Sequence, residues 1–336
     1  MYCIQQNLHK SKEVTLEING WLDELRGKEG VGLLQEPNNY KGKVPYLRNK
    51  CNIYIGKHGV NNRAIIVTTK GLECWKLNQY CSEDQVTIAL KMKDQSIIIM
   101  SSIYMPYDST DPPPTVELMS LVSFCEERGL ELIIGTDSNC HNAIWGSSNT
   151  NHRGEKLMEY IVTTNLQICN TGTQPTFENS IRSEIIDLTL ATTQASSKIQ
   201  DWKVITGKTA SDHNMIAFKY QKMPKVLEEE YKNVRRTNWD LYREKLRKYL
   251  SELENTTDID GKMNGINQAI TRAYSESCPT SKRKTTAKPS WWNSNLSKLK
   301  REAIKYRNRY KREPTEYNIN NWKEKSQDYK KELQKA

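Results

Sequence analysis

Seven side chains in the first two thirds of this chain could together act on a phosphate ester. They are two amides, four acids and one histidine, namely Asn7, Asn139, Glu36, Asp137, Asp187, Asp212 and His213. Carboxylates can hold a divalent cation, amides can donate to phosphate oxygens, and an imidazole transfers protons near neutral pH. Because a lone Asp-His pair also occurs in ordinary turns, the prediction depends on the whole set.

Two of these positions are informative by themselves. Asp187 lies in the apolar run EIIDLTL, where burying an unpaired charge is costly, so it needs a partner. We expect this partner to be His213, since a carboxylate bonded to one imidazole nitrogen fixes the tautomer and leaves the other nitrogen facing substrate. Glu36 ends the run GLLQE before a proline, and a carboxylate at a strand end suits Mg²⁺ or Mn²⁺. An acid there could also simply begin a loop.

Asp137 and Asn139 follow the apolar run LELIIG. If the backbone stays extended, their i, i+2 spacing turns both side chains the same way, so both could reach one phosphate. Tyr104 closes another apolar run before a proline and could present its hydroxyl to a phosphate oxygen, although a buried structural tyrosine fits nearly as well. Thr176, in QPTF, could contact phosphate or base, or serve a turn.

The elements that would position these residues are short strands alternating with amphipathic helices. The predicted strands are Tyr2 to Leu8, Gly32 to Gln35, Ala64 to Thr68, Gln85 to Met92, Ser96 to Tyr104, Leu130 to Gly135, Ile185 to Leu190 and Met215 to Lys219. The predicted helices between them are Ser11 to Leu25, Thr115 to Arg128 and Gly154 to Thr164. This pattern predicts an α/β fold in which two mixed sheets pack face to face as a sandwich covered by helices.

Beyond residue 220 the pattern changes to polar helices, predicted at Asn238 to Leu253, Ile259 to Tyr274 and Asn295 to Arg312. We therefore predict one domain over residues 1–220 and a helical, basic extension over residues 221–336. The charge divides in the same way, because the formal net charge of +10 consists of −2 in the first part and +12 in the second.

The basic excess is densest between Ser281 and Arg312, where tryptophans and tyrosines are interspersed. Such a segment attracts polyanions, and its rings can stack on unpaired bases, so we expect it to contact DNA or RNA. The residues singled out for this contact are Lys282, Arg283, Lys284, Trp291 and Trp292. The alternative is a solvated helix face with its tryptophans docked on the domain.

No apolar run approaches the roughly 18 residues of a membrane span, and the N-terminus lacks the layout of a signal peptide. Eight dispersed cysteines without a C-x-x-C pair predict free thiols in a reducing compartment. We expect an intracellular protein without membrane contact, and a nuclear one if its substrate is DNA.

Six separated motifs, IQQN, LLQEP, IYMP, GTDSN, IIDLTL and SDHN, resemble in content and order those of the endonuclease/exonuclease/phosphatase superfamily, to which DNase I belongs. The stretch GTDSNCHNAIWGSSNTNHRGEKL with LQICNTGTQPTF is similar to the endonuclease domains of R1- and jockey-type non-LTR retrotransposon polyproteins. The resemblance covers about residues 1–220. The later WWNSNLSKLKREAIKYRNRYKRE resembles the connector before reverse transcriptase, but the chain has no Y-x-D-D polymerase signature, so it looks like a fragment or truncated copy.

The resemblance implies a DNase I-like fold and a Mg²⁺- or Mn²⁺-dependent endonuclease that nicks DNA to leave a 3′-hydroxyl and a 5′-phosphate. It implies that Glu36, Asn7 and Asp212 lie around the metal. His213, oriented by Asp187, would act on the attacking water or the phosphate, and Asp137 with Asn139 would position the nucleophile or leaving group. Tyr104 and Ser211 would bind phosphate. Thr136 departs from the family pattern, because many relatives place an acid before this motif.

Two other functions fit the same residues. A phosphatase acting on a lipid or inositol phosphate could use a similar metal site, although the sequence has no apolar helix for a membrane surface. A decayed retrotransposon copy could bind nucleic acid without cleaving it.

Overall fold

The computed structural model describes all 336 residues except 26, 48–50, 208, 222–228, 254–258, 284–293, 334 and 336. Its strands are β1 (Tyr2–Asn7), β2 (Gly30–Gln35), β3 (Cys51–Ile55), β4 (Ala64–Thr69), β5 (Cys74–Lys76), β6 (Gln85–Lys91), β7 (Ile97–Tyr104), β8 (Glu131–Asp137), β9 (Leu166–Ile168), β10 (Phe177–Glu178), β11 (Ser183–Glu184), β12 (Asp187–Thr192), β13 (Ile199–Ile205), β14 (Met215–Tyr220), β15 (Glu229–Lys232) and β16 (Thr280–Arg283). Its α-helices are α1 (Lys12–Glu24), α2 (Val116–Arg128), α3 (His152–Thr163), α4 (Thr193–Ser196), α5 (Trp239–Ser251), α6 (Ile259–Ser277), α7 (Ser294–Arg312) and α8 (Glu316–Leu333).

Two six-stranded mixed sheets form the main architecture. The first has the order β13-β14-β1-β2-β4-β3, and the second has the order β5-β6-β7-β8-β12-β9. Each contains one parallel pair, β1 with β2 and β7 with β8, among antiparallel neighbours. Parallel strands end at the same sheet edge, so the residues that follow β1 and β2 lie beside each other. The predicted α/β sandwich is therefore confirmed.

Apolar residues from both sheets fill the space between them, including Leu33, Ile66, Met100 and Ile133. The sheets approach closely at Gly135, where an added Cβ would come within 2.9 Å of Leu33. A side chain at residue 135 would therefore push the sheets apart.

Two buried glutamines tie the sheets together near the edge where β1, β2 and β8 end. Gln5 Nε2 donates to the carbonyls of Thr136 and Leu188, both at 3.2 Å. Gln35 Nε2 donates to Ser102 Oγ at 2.9 Å and to the Gly135 carbonyl at 3.1 Å. Unpaired amides would be costly here, so these bonds favour a single alignment of the two strand ends.

The chain forms two compact units, one of Met1–Lys222 with Lys288–Ala336 and one of Met223–Ala287. This division differs from the predicted one, because α7 and α8 belong to the first unit. Leu296 of α7 and Tyr329 of α8 are buried in the same apolar cluster as Leu157 and Ile161 of α3. The second unit contains α5, α6 and the β15–β16 pair.

Every predicted strand and helix named above is present, with shifts at the ends. The elements that were not predicted are strands β3, β5, β9, β10, β11, β13, β15 and β16 and helices α4 and α8. Among the described residues no helix combines the length and apolarity that crossing a membrane requires. All eight cysteines are free thiols.

Candidate active site

Asn7 joins carboxylates from the two sheets. It ends β1, and its side-chain nitrogen donates to Glu36 Oε2 at 3.1 Å and to Asp137 Oδ2 at 2.8 Å. Its oxygen accepts the backbone N–H of His9 at 2.8 Å, which fixes the orientation of the amide. The structure thus brings together three residues that are far apart in sequence, at the edge that the glutamines align.

His213 and two aspartates form the buried side of this site. Asp187 begins β12 directly opposite Asp137 in β8. Its Oδ2 lies 2.9 Å from His213 Nδ1, while His213 Nε2 lies 3.9 Å from Asp137 Oδ2. The rings of His213 and Phe177 meet edge to face, with their centroids 4.9 Å apart and their planes at 69°. The imidazole therefore has one nitrogen bound to Asp187 and the other turned to the shared cluster, as predicted for this pair.

Burial and mutual charge shift the pKa values of both groups. Burial, reinforced by Asp187, raises the pKa of Asp137 to about 7 although His213 and Asn7 oppose the rise. Burial alone would lower the pKa of His213, but Asp187 and Asp137 outweigh it and raise that pKa to about 9. These pKa shifts favour a charged imidazole and make Asp137 easier to protonate than an ordinary aspartate, so it can exchange a proton more readily.

Four residues around the site have the left-handed backbone conformation that L residues rarely adopt. They are His9, Lys10, Glu36 and Asn139, with φ angles of +50°, +52°, +43° and +47°. For a residue such as Glu36 this costs on the order of 1 kcal/mol or more, and such strain concentrates at functional sites. The backbone N–H of Lys10 bonds the Glu36 carbonyl at 2.8 Å, which braces the two strained loops against each other.

The arrangement of Asn139 corrects the extended geometry expected after β8. Because its φ is positive, the backbone turns at this residue. Its N–H donates to Asp137 Oδ1, and its side-chain amide donates to the Met105 carbonyl, both at 3.1 Å. Asn139 therefore braces Asp137 and the β7–α2 loop.

Tyr104 ends β7 in register with Asp137 and is 8% exposed. Burial, with the Glu36 and Asp137 carboxylates, raises the pKa of its hydroxyl, which stays protonated as a hydrogen-bond donor. The guanidinium of Arg63 lies over the ring, 5.4 Å from its centroid, and is itself bound to both carboxylate oxygens of Asp84.

The hydroxyls of Thr176 and Ser211 bond the backbone, not the open side of the site. Fully buried Thr176 accepts the N–H groups of Ile186 and Asp187, at 3.1 and 3.0 Å, and so holds the start of β12. Ser211 donates to the Asn7 carbonyl at 2.8 Å and accepts the His213 N–H at 3.1 Å. For Thr176 these contacts agree with the turn role that the sequence left open, and for Ser211 phosphate binding stays a prediction.

The predicted metal ligands differ in their surroundings. Glu36 has 15% of its side chain exposed, and its Oε1 lies 3.1 Å from Lys10 Nζ. The Asp212 side chain is 42% exposed, with its Oδ2 3.8 Å from His9 Nδ1. Carboxylate and amide oxygens suit a hard divalent cation. The ammonium of Lys10 lies beside Glu36, where such a cation would bind.

A second group of potential ligands is more deeply buried. Atoms of Asp137, Asp187 and His213 lie within 4.8 Å of one another. Asp187 Oδ1 is buried and has no hydrogen-bond partner among the described residues, so a cation or water fits it. A cation bound by His213 Nδ1 and Asp187 would, however, break their hydrogen bond, whereas Glu36, Asn7 and Asp212 leave it intact.

Sequence reasoning missed Gln5, Gln35 and Lys10. The available signal was strongest for Gln35, which ends the apolar run GLLQE, where a buried amide must find partners; Gln5 lies in IQQN beside two further amides. Of the basic residues singled out earlier, Lys282 and Arg283 lie in β16, where their side chains are not described. Lys284, Trp291 and Trp292 lie outside the described residues.

Two facing mixed sheets, with acids, amides and a histidine at one edge, are the arrangement expected from the resemblance to the endonuclease/exonuclease/phosphatase superfamily. Residues 98–217 match a protein family described as endonuclease-reverse transcriptase. The structure is also similar to the endonuclease domain of TRAS1, a telomere-specific non-LTR retrotransposon, at 23% identity and a TM-score of 0.54, over 66% of this chain and 99% of that one. The resemblance to this superfamily and to retrotransposon endonucleases is therefore confirmed.

Two other solved structures share the fold at lower identity. The Xenopus laevis APE2 catalytic domain is 11% identical with a TM-score of 0.50, over 66% of this chain and 92% of that one. The AP endonuclease LMAP from Leishmania major is 13% identical with a TM-score of 0.51, over 66% and 87% of the two chains. No curated protein sequence matches the chain.

Proposed function

We propose that this protein is a Mg²⁺- or Mn²⁺-dependent endonuclease that nicks DNA to leave a 3′-hydroxyl and a 5′-phosphate. The observation that carries the proposal is the convergence of Asn7, Glu36, Asp137, Asp187 and His213 through direct contacts of 2.8 to 3.9 Å. The match to the endonuclease-reverse transcriptase family and the fold shared with the TRAS1 endonuclease domain support it. In a retrotransposon the 3′-hydroxyl would prime reverse transcription, with the helical extension preceding the polymerase.

The residues divide the chemistry by their environments. Glu36 and Asp212 would hold the cation, and Asn7 would join them through its oxygen, which accepts the His9 N–H in this structure. The cation would supply charge neutralisation at the scissile phosphate. Asp137, whose pKa is raised to about 7, is suited to take a proton from the attacking water. Protonated His213, held by Asp187, would donate Nε2–H to a phosphate oxygen. Tyr104 would add a neutral donor beside them.

The test is nicking of supercoiled plasmid with Mg²⁺, with Mn²⁺ and with EDTA. We expect nicking with either metal and none in EDTA, and we expect DNA ligase to reseal the nick because the ends are a 3′-hydroxyl and a 5′-phosphate. Binding of plasmid without any nicking would favour the decayed-copy alternative. Phosphate release from inositol or lipid phosphates with intact plasmid would favour the phosphatase.

A second prediction concerns Lys10 and the metal. The ammonium of Lys10, on a side chain that is 69% exposed, lies against the proposed ligand Glu36. Replacing Lys10 with methionine removes this competing cation, so Mn²⁺ affinity should rise by about two- to fivefold, the range of an exposed ion pair. Free Mn²⁺ measured by electron paramagnetic resonance gives the affinity without relying on catalysis.

Lys28→Met, at an exposed lysine in the α1–β2 loop, is the matched control and should leave Mn²⁺ affinity unchanged. Unchanged or weaker Mn²⁺ binding by Lys10→Met would remove Glu36 from the proposed metal site.

Two further proposals concern the nucleic-acid partners of the protein and its localisation in the cell. The basic C-terminal segment is proposed to contact RNA as well as DNA, on the strength of its charge and its tryptophans. A DNA substrate in a cell with a nucleus also implies a nuclear protein, which immunofluorescence of the expressed chain would test.

A further inference from the structure

Helix α7 has one face fixed against the catalytic unit. Leu296, Lys300, Ala303 and Arg307 are buried and recur every three or four residues. Lys300 Nζ donates to the Leu166 carbonyl at 2.9 Å, and Arg307 donates to the Thr163 carbonyl at 2.7 Å. Arg307 also pairs with Glu126 of α2 at 3.2 Å, so the rotation of α7 about its axis is set.

The opposite face of α7 is a row of exposed cations, which we call the basic stripe. It consists of Lys298, Arg301, Lys305, Arg309 and Arg312. At 3.6 residues per turn these five positions fall within an arc of about 80°, centred roughly opposite the buried face, and extend about 21 Å along the helix. A periodic charged row of this kind follows from the sequence, but only the docking shows that it faces solvent.

No ion pair between described residues involves the basic stripe. We call α7 and α8 together the C-terminal hairpin. Its ion pairs within the described residues join Arg307 to Glu126, Lys325 to Glu324 and Asp328, and Lys335 to Glu332. None of them involves the stripe. Five neighbouring like charges repel one another, so a polyanion that neutralises them would bind favourably.

The aromatic residues of α7 favour a duplex over a single strand as that polyanion. Single strands are held largely by bases stacked on exposed rings. Tyr306 and Tyr310 are partly buried, and Tyr310 is stacked on Trp322 of α8 with the rings 3° from parallel. The Tyr310 ring is therefore already occupied and Tyr306 is only partly exposed, so charge dominates the exposed surface of α7, which suits a phosphate backbone whose bases are paired.

We propose that the basic stripe binds the backbone of duplex DNA outside the catalytic site. Duplex DNA carries about one charge per 1.7 Å, or about 12 charges along the 21 Å of the stripe. A chain of contacts places α7 near the start of β8. Lys300 bonds the carbonyl of Leu166, Leu166 pairs with Thr192, and Thr192 accepts the backbone N–H of Leu132. Asp137 is at the other end of this strand, roughly 20 Å away. The inference deepens the proposed DNA function by adding a second contact on the same substrate.

The experiment measures binding of a fluorescent 30-base-pair duplex in EDTA at 50 to 200 mM KCl. The stripe variant carries Arg301→Gln, Lys305→Gln and Arg309→Gln, and the matched control carries Lys28→Gln, Lys70→Gln and Lys93→Gln, three exposed lysines elsewhere in the same unit. Three lost phosphate contacts should lower the salt slope by about 2.7, so the parent should lose about 40-fold more affinity than the stripe variant over this range.

If the affinity of the stripe variant depends on salt as steeply as that of the parent, the proposal is overturned. It is also overturned if the control variant loses as much of this salt dependence as the stripe variant. Weaker binding of single-stranded RNA with unchanged duplex binding would overturn the duplex assignment. Because EDTA prevents metal-dependent cleavage, the slope is measured independently of nicking. Failure of the proposed endonuclease activity and failure of the stripe are therefore separate results.

Discussion

Replacing Asp187 with asparagine should lower the nicking rate by about 10⁴-fold while leaving the fold intact, which is the cost of the same exchange in a histidine-carboxylate pair of a protease. Asp187 Oδ2 accepts from His213 Nδ1 at 2.9 Å. An asparagine amide nitrogen at that position would make Nδ1 the acceptor and lose the charge that favours imidazolium. The measurement is single-turnover nicking of plasmid, together with thermal unfolding.

The NMR signals of the His213 ring separate an electrostatic effect from a structural one. We expect the pKa of His213, raised to about 9 in the parent, to fall in Asp187→Asn, because Asp187 makes the largest of the carboxylate contributions that raise it. Thr189→Ser, at a buried threonine in the same strand, is the matched control and should retain nicking. Nicking within tenfold of the parent in Asp187→Asn would exclude His213 from the chemistry.

The Asp187–His213 pair shows what sequence can predict about this site. An acid in an apolar strand requires a partner, and a histidine suits it because the carboxylate fixes the imidazole tautomer, so burial energetics and imidazole chemistry together led to the pairing. The orientation of Thr176 and Ser211 could not be obtained in this way. A hydroxyl can form a hydrogen bond with the backbone or with a substrate equally well. Which bond forms depends on the backbone groups that the fold brings within about 3 Å of the hydroxyl oxygen.

The same limit applies to the strained loops. Nothing in the residue types of Lys10 or Glu36 indicates a positive φ, since both residues prefer other conformations. The conformation arises because β1 and β2 are parallel neighbours whose following loops must diverge over a shared edge. The Lys10–Glu36 ion pair is therefore a consequence of topology.

The sequence predicted the elements whose hydrophobic periodicity is strong. It did not predict a strand with a weak pattern, or contacts between segments that lie far apart in the chain. Strand β13 has only intermediate burial over most of its length and reads as polar, so its pairing with β14 gave little sequence signal. The position of α7 and α8 was also hidden. The amphipathic pattern of α7 predicts a helix with one buried face, but it does not specify which surface covers that face.

The expected consequence of that docking is that deleting residues 294–336 destabilises the first compact unit. Leu296 and Tyr329 are buried among residues of α3, and their removal would expose this apolar surface to water. Full burial of two such side chains stabilises by about 3 to 6 kcal/mol in total. Denaturant unfolding should show a loss of this size, with a smaller m-value because less surface is exposed on unfolding.

A single substitution tests the same contact without truncation. Leu296→Ala in the full chain should lower the free energy of unfolding by about 2 to 5 kcal/mol, because it leaves a cavity in a buried cluster. Tyr317→Ala, at a residue of α8 that is 71% exposed, is the matched control and should change stability by less than about 0.5 kcal/mol. If the two variants unfold alike, the hairpin is not docked in solution, and the rigid orientation that places the basic stripe toward solvent would have to be abandoned.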